Sequence, residues 1–408
     1  MEPRGKAVKK AIFFLTVGLC ANSFAAGIAE PLPIAGLDGK GQISNPRISP
    51  DGKSLYFEFL AANGDSAVVY TAEFSNPSAS PLAVKSFEEV ISSKKQDVFS
   101  LGGPGDQIVT EHPSWGPSTQ RGQTIAVAAT RKEASRGASQ INFDIFFKAP
   151  GKKRFLTEHP ANDSEPVFSP GGDYLVYASG RSGEGDLYAY SFFDEVSPTK
   201  RITFDESGSE LYQRWSPDGK KLAYIAHMGS SDHLLINDDV VRLIKEPDEA
   251  QRKVISRSIT RDVTQGWQHS CLGPAFSPDG KRVAFFVHPK SEQTRTDLYV
   301  VKADGAGEPV LLMENVIPPS RGGPCWSADG SGIYAVEENA AEMNPVVFVP
   351  IDPYKKRERI NTGTQLNTEL SLWTGPGGAS YVVFAAQGGG EKDGEKRWRR
   401  LFVFKPKK

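Results

Sequence analysis

Short apolar runs separated by polar turns recur along the whole chain, and residues 274–305 are the clearest copy. This copy contains an apolar run at 274–277, a Pro-Asp-Gly turn at 278–280, and further apolar runs at 283–287 and 297–301. Runs rich in β-branched and aromatic residues favour strands, and the turn sequence favours reversal because proline fixes φ while glycine accepts a positive φ. The pattern therefore predicts antiparallel hairpins, and one such unit is too small to bury both of its faces.

The same unit recurs six more times with decay. The residues in the position of the turn serine are Ser49, Gly116, Ser169, Ser216, Ser277, Ser327 and Thr374. Their spacing is 47 to 67 residues, and a four-stranded propeller blade needs about 40–50 residues. We therefore predict an all-β fold, a seven-bladed β-propeller of four-stranded antiparallel blades. Six blades are the alternative, because the second and seventh copies are degenerate.

Residues 155–190 read FLTEHPANDSEPVFSPGGDYLVYASGRSGEGDLYAY. This stretch resembles, almost position by position, the TolB-type propeller repeat, a relative of the WD-repeat blade. The resemblance covers nearly the whole chain after residue 25. TolB proper docks an outer-membrane lipoprotein and carries a separate N-terminal α/β domain, which we expect this chain to lack. The resemblance is informative about fold rather than function, since propellers host unrelated activities.

The first 25 residues have the pattern of a secretory signal peptide. Four basic residues precede an apolar core at 11–19, and Ser23-Phe24-Ala25 forms a small-x-small cleavage site. The core is shorter than the roughly 20 residues that a membrane span needs. We expect cleavage after Ala25 and a periplasmic or secreted protein with a propeller domain at 26–408. An uncleaved anchor and a lipoprotein modified at Cys20 stay open as alternatives.

The charge distribution excludes one class of partner. The formal net charge is −1, and it becomes −4 without residues 1–25, because that segment carries four basic residues and one acidic residue. A mixed, near-neutral surface lacks the basic stripe of a nucleic-acid-binding protein. We expect no nucleic-acid partner, no membrane span after processing, and a monomer or a component of a hetero-complex with a protein of the cell envelope.

The two ends of the chain are expected to close the ring together. The last copy supplies apolar runs at 381–385 and 401–404 but no fourth strand, while residues 27–44 form an extended lead-in. Pairing the lead-in with the last blade removes an open sheet edge. We therefore predict that an N-terminal strand closes the propeller.

Residues that recur from copy to copy are assigned structural roles. Turn aspartates such as Asp279 are expected to cap their own turns, and tryptophans such as Trp115 and Trp326 to pack between blades. Cys271 and Cys325 lie near the inner strands of neighbouring copies. A disulfide between them and two free buried thiols are both open, since export permits oxidation but the bond requires a restricted geometry.

Function is expected where the copies disagree, on the face of the disc opposite the Pro-Asp-Gly turns. Loops held by a rigid scaffold commonly carry binding residues, and the loops around the channel mouth combine acidic, aromatic and imidazole side chains. The predicted ligand- or partner-binding residues are Glu111, His112, Asp163, Glu165, Arg181, Tyr212, His227, Trp267, His269, Arg321 and Glu369. No residue is assigned a catalytic role.

Residues 244–270 form a long charged insertion, and Val254, Ile255 and Ile259 within it have helical spacing. We place this insertion on the channel face, as a lid over a ligand, a partner-binding arm or a solvated loop.

No cofactor is predicted, and the alternative is a channel-bound metal ion. His112 and His159 would ligate it together with Glu111 and Glu165, although these residues lack the tight spacing of known metal motifs.

Together these observations predict an exported, non-catalytic propeller that binds a protein or envelope ligand at the channel mouth. The alternative is a periplasmic enzyme or carbohydrate-binding protein with a metal or acid/base site in the channel, acting as a lyase or hydrolase on sugar acids. The sequence contains no nucleophile elbow, phosphate-binding loop or zinc-protease motif.

Overall fold

The structure is a computed structural model that describes residues 28–62, 68–75, 82–91, 110–117, 122–132, 141–183, 185–204, 208–375, 378, 380–388 and 398–406. Within these ranges it contains seven four-stranded antiparallel sheets. The predicted all-β propeller is therefore confirmed, with seven blades rather than six. The predicted signal peptide and its cleavage site at Ala25 lie outside the described residues.

Each blade is one sheet whose first strand lies innermost. The chain begins with β1 (Glu30–Pro31), followed in blade 1 by β2 (Gly41–Ile48), β3 (Ser54–Ala61), β4 (Val68–Phe74) and β5 (Val84–Glu89). Blade 2 contains β6 (Thr110–Trp115), β7 (Ile125–Lys132), β8 (Ile141–Ala149) and β9 (Lys152–Phe155). Blade 3 contains β10 (Asp163–Phe168), β11 (Tyr174–Ser179), β12 (Asp186–Ser191) and β13 (Thr199–Arg201).

The remaining blades follow the same order. Blade 4 contains β14 (Glu210–Trp215), β15 (Leu222–Met228), β16 (Ser231–Asn237) and β17 (Thr260–Asp262), with helices α1 (Val240–Lys245) and α2 (Glu249–Ile259) between β16 and β17. Blade 5 contains β18 (Ser270–Phe276), β19 (Arg282–His288), β20 (Asp297–Lys302) and β21 (Val310–Met313). Blade 6 contains β22 (Cys325–Trp326), β23 (Gly332–Val336), β24 (Val346–Pro350) and β25 (Glu358–Ile360). Blade 7 contains β26 (Thr364–Thr374), β27 (Ser380–Gly388) and β28 (Arg400–Phe404).

The Ser-Pro-Asp-Gly turns fold as the sequence predicts. In blade 5 the Ser277 hydroxyl donates to Asp279 Oδ1 at 2.6 Å, and the same oxygen accepts the Lys281 amide at 3.0 Å. The bond from Ser277 lowers the pKa of Asp279, so the carboxylate stays ionised. Gly280 has a φ of +70°, in the left-handed region that favours glycine.

The apolar core is divided among the seven interfaces between blades. One buried cluster lies at each interface, including the interface that joins blade 7 to blade 1. Tryptophans tie neighbouring inner strands together, because Trp115 Nε1 donates to the Arg47 carbonyl and Trp326 Nε1 to the Ala275 carbonyl, both at 3.0 Å. The predicted packing of tryptophans between blades is confirmed, and the inner strands are held rigidly as a result.

The N-terminal strand closes the ring. β1 pairs with β28, and the Leu32 amide donates to the Leu401 carbonyl at 2.8 Å. Leu32 and Ile34 are fully buried in the cluster between blades 7 and 1. The lead-in has two roles, since residues 30–31 complete blade 7 whereas residues 41–44 already belong to the inner strand of blade 1.

The structure corrects the expected position of the 244–270 insertion. Antiparallel strands alternate in direction, so the connection from β16 to β17 leaves blade 4 at the end that carries the Ser-Pro-Asp-Gly turn. The Val240 amide accordingly donates to the carbonyl of Lys220 in that turn at 3.0 Å. Arg252 Nε donates to the Arg201 carbonyl at 3.0 Å, so the helices cover the outer edge of blade 3. Only the segment after β17 reaches the channel-mouth face.

Cys271 and Cys325 are buried free thiols in different clusters, so the disulfide that the sequence left open is not formed. Burial raises the pKa of each thiol to about 12, which makes both unreactive.

Among the described residues, no helix has the length and apolar character that crossing a membrane requires.

Candidate functional site

A ring of left-handed residues surrounds the channel mouth. In six of the seven blades the inner strand carries one residue with φ between +49° and +61° at this level, namely Asn45, His112, Glu165, Tyr212, Gly273 and Glu369. Each lies at a bulge, where the register between the first and second strands shifts. Non-glycine residues rarely adopt this conformation, which costs about 1–3 kcal/mol each and is concentrated at functional sites.

These residues lie inside the inner strands and not in the loops ahead of them, where the sequence analysis placed them. In blade 3, Ser164 and Val167 both pair with β11, while Glu165 lies in the bulge between them. A bulge of this kind re-aims a side chain without ending the strand. The side chains of these left-handed residues are therefore mounted on sheet rather than on loops.

The inner strands enclose a central cavity of about 510 Å³. Four of the predicted residues line this cavity, namely His112, Glu165, Tyr212 and Arg321. They come from blades 2, 3, 4 and the loop that enters blade 6, so the structure brings together residues far apart in sequence.

Arg321 links opposite sides of the mouth. Its Nη1 donates to His112 Nε2, its Nη2 lies 3.3 Å from Glu111 Oε2, and its Nε lies 3.9 Å from Glu58 Oε1. Glu111 and His112 belong to blade 2 and Glu58 to blade 1, whereas Arg321 precedes blade 6. One guanidinium therefore fixes three blades relative to one another.

His112 is a neutral imidazole in this setting. Burial lowers the pKa of His112 to about 3, and the positive charges of Arg321 and Arg214 act in the same direction. Since Nε2 accepts the bond from Arg321, the ring proton resides on Nδ1. Nδ1 lies 3.9 Å from Glu111 Oε2 and has no hydrogen-bond partner among the described residues. A buried donor thus faces the site with its hydrogen bond unmade.

Carboxylates surround the same network. Glu165 Oε2 accepts the Tyr212 amide at 2.6 Å, and Glu369 Oε1 accepts the Ser320 amide at 2.9 Å. Burial raises the pKa of Glu58, while the positive charge of Arg321 opposes that shift. The mouth is therefore acidic in composition, with each of these carboxylates held by a named contact.

Two predicted residues form a structural pair away from the cavity. Arg181 Nη2 lies 2.7 Å from Asp163 Oδ2, and its guanidinium lies 4.8 Å above the centre of the Tyr188 ring. Asp163 is fully buried within blade 3, and neither residue of the pair lines the cavity. Their contacts stabilise the blade.

Three predicted residues lie on the outer rim. His227 Nδ1 lies 2.8 Å from Asp232 Oδ1 at the exposed end of the β15–β16 hairpin in blade 4. Trp267 and His269 contact each other edge to face, with ring centres 5.5 Å apart, before β18. They share the mouth face with the ring but do not line the cavity.

The geometry does not assemble the metal site that was considered from the sequence. His159 Nδ1 accepts the Ala161 amide at 3.1 Å, and Arg321 occupies His112 Nε2. In the part of the chain that the structure describes, no group of three or more histidine, cysteine, aspartate or glutamate side chains is arranged to hold a metal ion.

Two arginines in the cavity are not among the residues predicted from the sequence. Arg47 and Arg214 line the cavity from blades 1 and 4. Each arginine stands one position before the residue that packs between blades. In the other copies, the position of the arginine is filled by Ser114, Val167, Ala275, Cys325 and Leu372. The copies disagree at this position, so the criterion used for the mouth residues could have found them.

These features define the class of protein as a seven-bladed β-propeller with a strained, polar channel mouth. No protein-family model matches the chain. Its repeat is TolB-like, and the chain is 28% identical over 127 residues to the Tol-Pal system protein TolB of Anaeromyxobacter dehalogenans, a match that covers 31% of this chain and 24% of that protein.

Two further proteins are similar to the chain, one in sequence and one in structure. The chain is 22% identical over 249 residues to a probable dipeptidyl-peptidase 5 of Arthroderma benhamiae, covering 60% of this chain and 32% of that protein. The matches to TolB and to the dipeptidyl-peptidase thus each span a third or less of the relative's length. Among solved structures, a puromycin hydrolase has a TM-score of 0.55 and 13% identity, covering 88% of this chain and 53% of that chain. At this identity the likeness supports the fold alone.

Proposed function

We propose that this protein is exported and acts as a non-catalytic propeller that binds a protein or other envelope ligand at the channel mouth. The observation that carries this proposal is the ring of strained, chemically different residues at one level of the channel. Repeated structural residues are alike from blade to blade, whereas this ring combines an asparagine, a histidine, a tyrosine and two glutamates at Asn45, His112, Tyr212, Glu165 and Glu369. A ring of unlike side chains presents an asymmetric surface to a ligand.

Unfilled hydrogen-bond capacity supports the same proposal. His112 Nδ1 and Glu369 Oε2 are buried and have no partner among the described residues. Buried polar atoms without partners cost about 1–3 kcal/mol each. A ligand that accepts from His112 and donates to Glu369 would recover part of that cost on binding. The relative named Tol-Pal system protein TolB makes an envelope protein a reasonable class of ligand.

Site-specific photo-crosslinking tests the proposed binding face. A photoreactive phenylalanine analogue at Tyr212 presents a probe at the mouth, and the same residue at exposed Lys281 presents one on the turn face. We expect protein adducts in the cell envelope from position 212 but not from position 281, and their loss when Arg321→Ala is added. Equal adducts from both positions, or adducts unaffected by Arg321→Ala, would contradict binding at the mouth.

A catalytic function is the second candidate, favoured by the neutral His112. This imidazole lies 3.9 Å from carboxylate oxygens of both Glu111 and Glu165, and imidazoles and carboxylates are the side chains that most often act as general acids and bases. Under this proposal the channel acts on sugar acids as a lyase or hydrolase. Incubation with uronate oligosaccharides and chromatography of the products tests it. Turnover that His112→Asn abolishes would replace the non-catalytic proposal.

Export is tested separately. We expect the protein in the periplasmic or secreted fraction, with a mature N-terminus at Ala26. A protein retaining residues 1–25 in the membrane fraction would indicate an anchor instead.

A further inference from the structure

Arg47 and Arg214 converge inside the channel. They follow the left-handed residues Asn45 and Tyr212 by two positions, so they lie further along the inner strands than the ring at the mouth. A Cβ atom at Gly322 would lie 2.8 Å from Arg47 Nη2 and 3.7 Å from Arg214 Nη2. The two guanidiniums therefore approach one point from blades 1 and 4, and the absence of a side chain at Gly322 leaves them room.

Among the described residues, the hydrogen bonds of both guanidiniums go to neutral backbone carbonyls. Arg47 Nη1 donates to the Pro46 carbonyl at 3.1 Å and Nη2 to the Arg321 carbonyl at 3.4 Å. Arg214 Nη1 donates to the Gln213 carbonyl at 2.7 Å. No carboxylate of the described residues lies within the 4.0 Å ion-pair distance of either arginine.

Other arginines of the blades are paired differently. Arg181 lies 2.7 Å from Asp163 and Arg201 lies 2.8 Å from Asp186, and both aspartates are buried. These pairs fit the rule that enclosed charges have counter-charges. Arg47 and Arg214 depart from this rule, and both line the central cavity.

The two guanidiniums repel each other. Burial lowers the pKa of Arg214, the negative charge of Glu165 opposes this shift, and the positive charge of Arg47 adds to it. Two like charges repel more strongly in a protein-lined cavity than in bulk water. Burial also raises the pKa of Tyr56 to about 12, so its hydroxyl in the same cavity wall stays a neutral donor.

We propose that Arg47 and Arg214 form an anion-binding site in the channel, and that its ligand carries a terminal carboxylate or phosphate group. Planar guanidinium forks match the oxygen geometry of both groups. The carboxylates at the mouth, including Glu111 and Glu165, disfavour entry of a polyanion. The ligand therefore has one anionic end, which enters first, and a neutral or positive remainder. The proposal of this anion site does not require the protein partner proposed at the mouth.

Isothermal calorimetry tests the site with three probes: inorganic phosphate, acetate, and the tripeptide Ala-Ala-Ala compared with its C-terminal amide. The variants are Arg47→Gln and Arg214→Gln, with Arg359→Gln as the control, because Arg359 is a surface residue 2.9 Å from Glu337. We expect one site with a millimolar or tighter Kd, at least tenfold weaker in either channel variant and unchanged in the control.

The probes also distinguish the source of the anion. Binding of the free tripeptide but not of its amide or the small ions indicates a peptide C-terminus, and binding of phosphate or acetate indicates a free small anion. No binding by any probe below 10 mM, or an affinity that Arg47→Gln leaves unchanged, would overturn the proposal.

Bromide soaking of wild-type crystals provides a measurement that requires no variant to fold. We expect an anomalous peak between the guanidiniums of Arg47 and Arg214. Bromide peaks at the surface with none between these two residues would also overturn the proposal.

Discussion

The neutral state of His112 makes folding stability depend on pH in a way that one substitution removes. His112→Asn is the substitution we would make. Asparagine tolerates a positive φ better than most residues, and Asn45 occupies the equivalent bulge in blade 1 with a φ of +49°. The variant therefore keeps a polar side chain in a compatible backbone while removing the titrating group.

The magnitude follows from the two pKa values. The pKa of His112 is about 3 in the folded protein and about 6.5 in an unfolded chain. Above pH 6.5 neither state is protonated, so the residue contributes no pH dependence. As the pH falls from 6.5 towards 3, only the unfolded state gains the proton, and the folded state loses about 1.4 kcal/mol of relative stability per pH unit. Between pH 7 and pH 5 this amounts to about 2 kcal/mol.

The assay is urea unfolding followed by tryptophan fluorescence at pH 7 and pH 5, compared between the wild type and His112→Asn. Groups that face His112, namely Glu111, Glu165, Arg321 and Arg214, are present in both proteins, so the comparison of slopes isolates the histidine. We expect the wild type to lose about 2 kcal/mol more than the variant between the two pH values. His227→Asn is the matched control, because the His227 side chain is 48% exposed.

Imidazole NMR gives a direct second readout. The sequence contains six histidines, and the His112 signal is identified by its loss in His112→Asn. We expect this signal to keep its neutral shift down to about pH 4.5, following the pKa given above. Titration of His112 near pH 6.5, or equal pH dependence in the wild type and His112→Asn, would refute the burial argument.

Three further predictions concern the ring and its mouth. Leu32→Ala is expected to lower the free energy of unfolding by about 2–5 kcal/mol, because Leu32 is fully buried where the ring closes. Ile28 in the same lead-in is 72% exposed, so Ile28→Ala should change the free energy of unfolding little. Equal effects of the two substitutions in urea unfolding would show that closure contributes nothing. Arg321→Ala is expected to lower the free energy of unfolding by about 1–3 kcal/mol, because it leaves Glu58 buried without its counter-charge. The surface variant Arg359→Ala should lower it by less than about 1 kcal/mol. A loss from Arg321→Ala no larger than that of the control would refute the role of Arg321 as a link between blades. Trp326→Phe removes the hydrogen bond to the Ala275 carbonyl and is expected to lower the free energy of unfolding by about 1 kcal/mol. Thermal unfolding monitored by circular dichroism would detect this loss. An unchanged melting temperature would contradict the role of this hydrogen bond.

The sequence by itself determined the class of fold, the turns and the closure of the ring. These features are local or repeated: Ser-Pro-Asp-Gly fixes a turn through contacts within a few residues, as Ser277 and Asp279 show, and seven copies of one period require a ring of blades. The missing fourth strand of the last copy similarly predicted the pairing of β1 with β28.

Only the tertiary structure decided which side chains share the channel. His112 and Arg321 are 209 positions apart in sequence, and no periodicity reveals that one side chain crosses the mouth to reach the other. The bulges were likewise invisible, because a left-handed residue such as Glu165 differs from its neighbours in backbone conformation and not in composition. The side of the disc that carries the 244–270 insertion depended on which strand precedes it. The sequence pattern did not reveal that the fourth strand of blade 4, β17 (Thr260–Asp262), comes only after the two helices. Arg47 and Arg214 became a candidate site only when folding brought both beside Gly322.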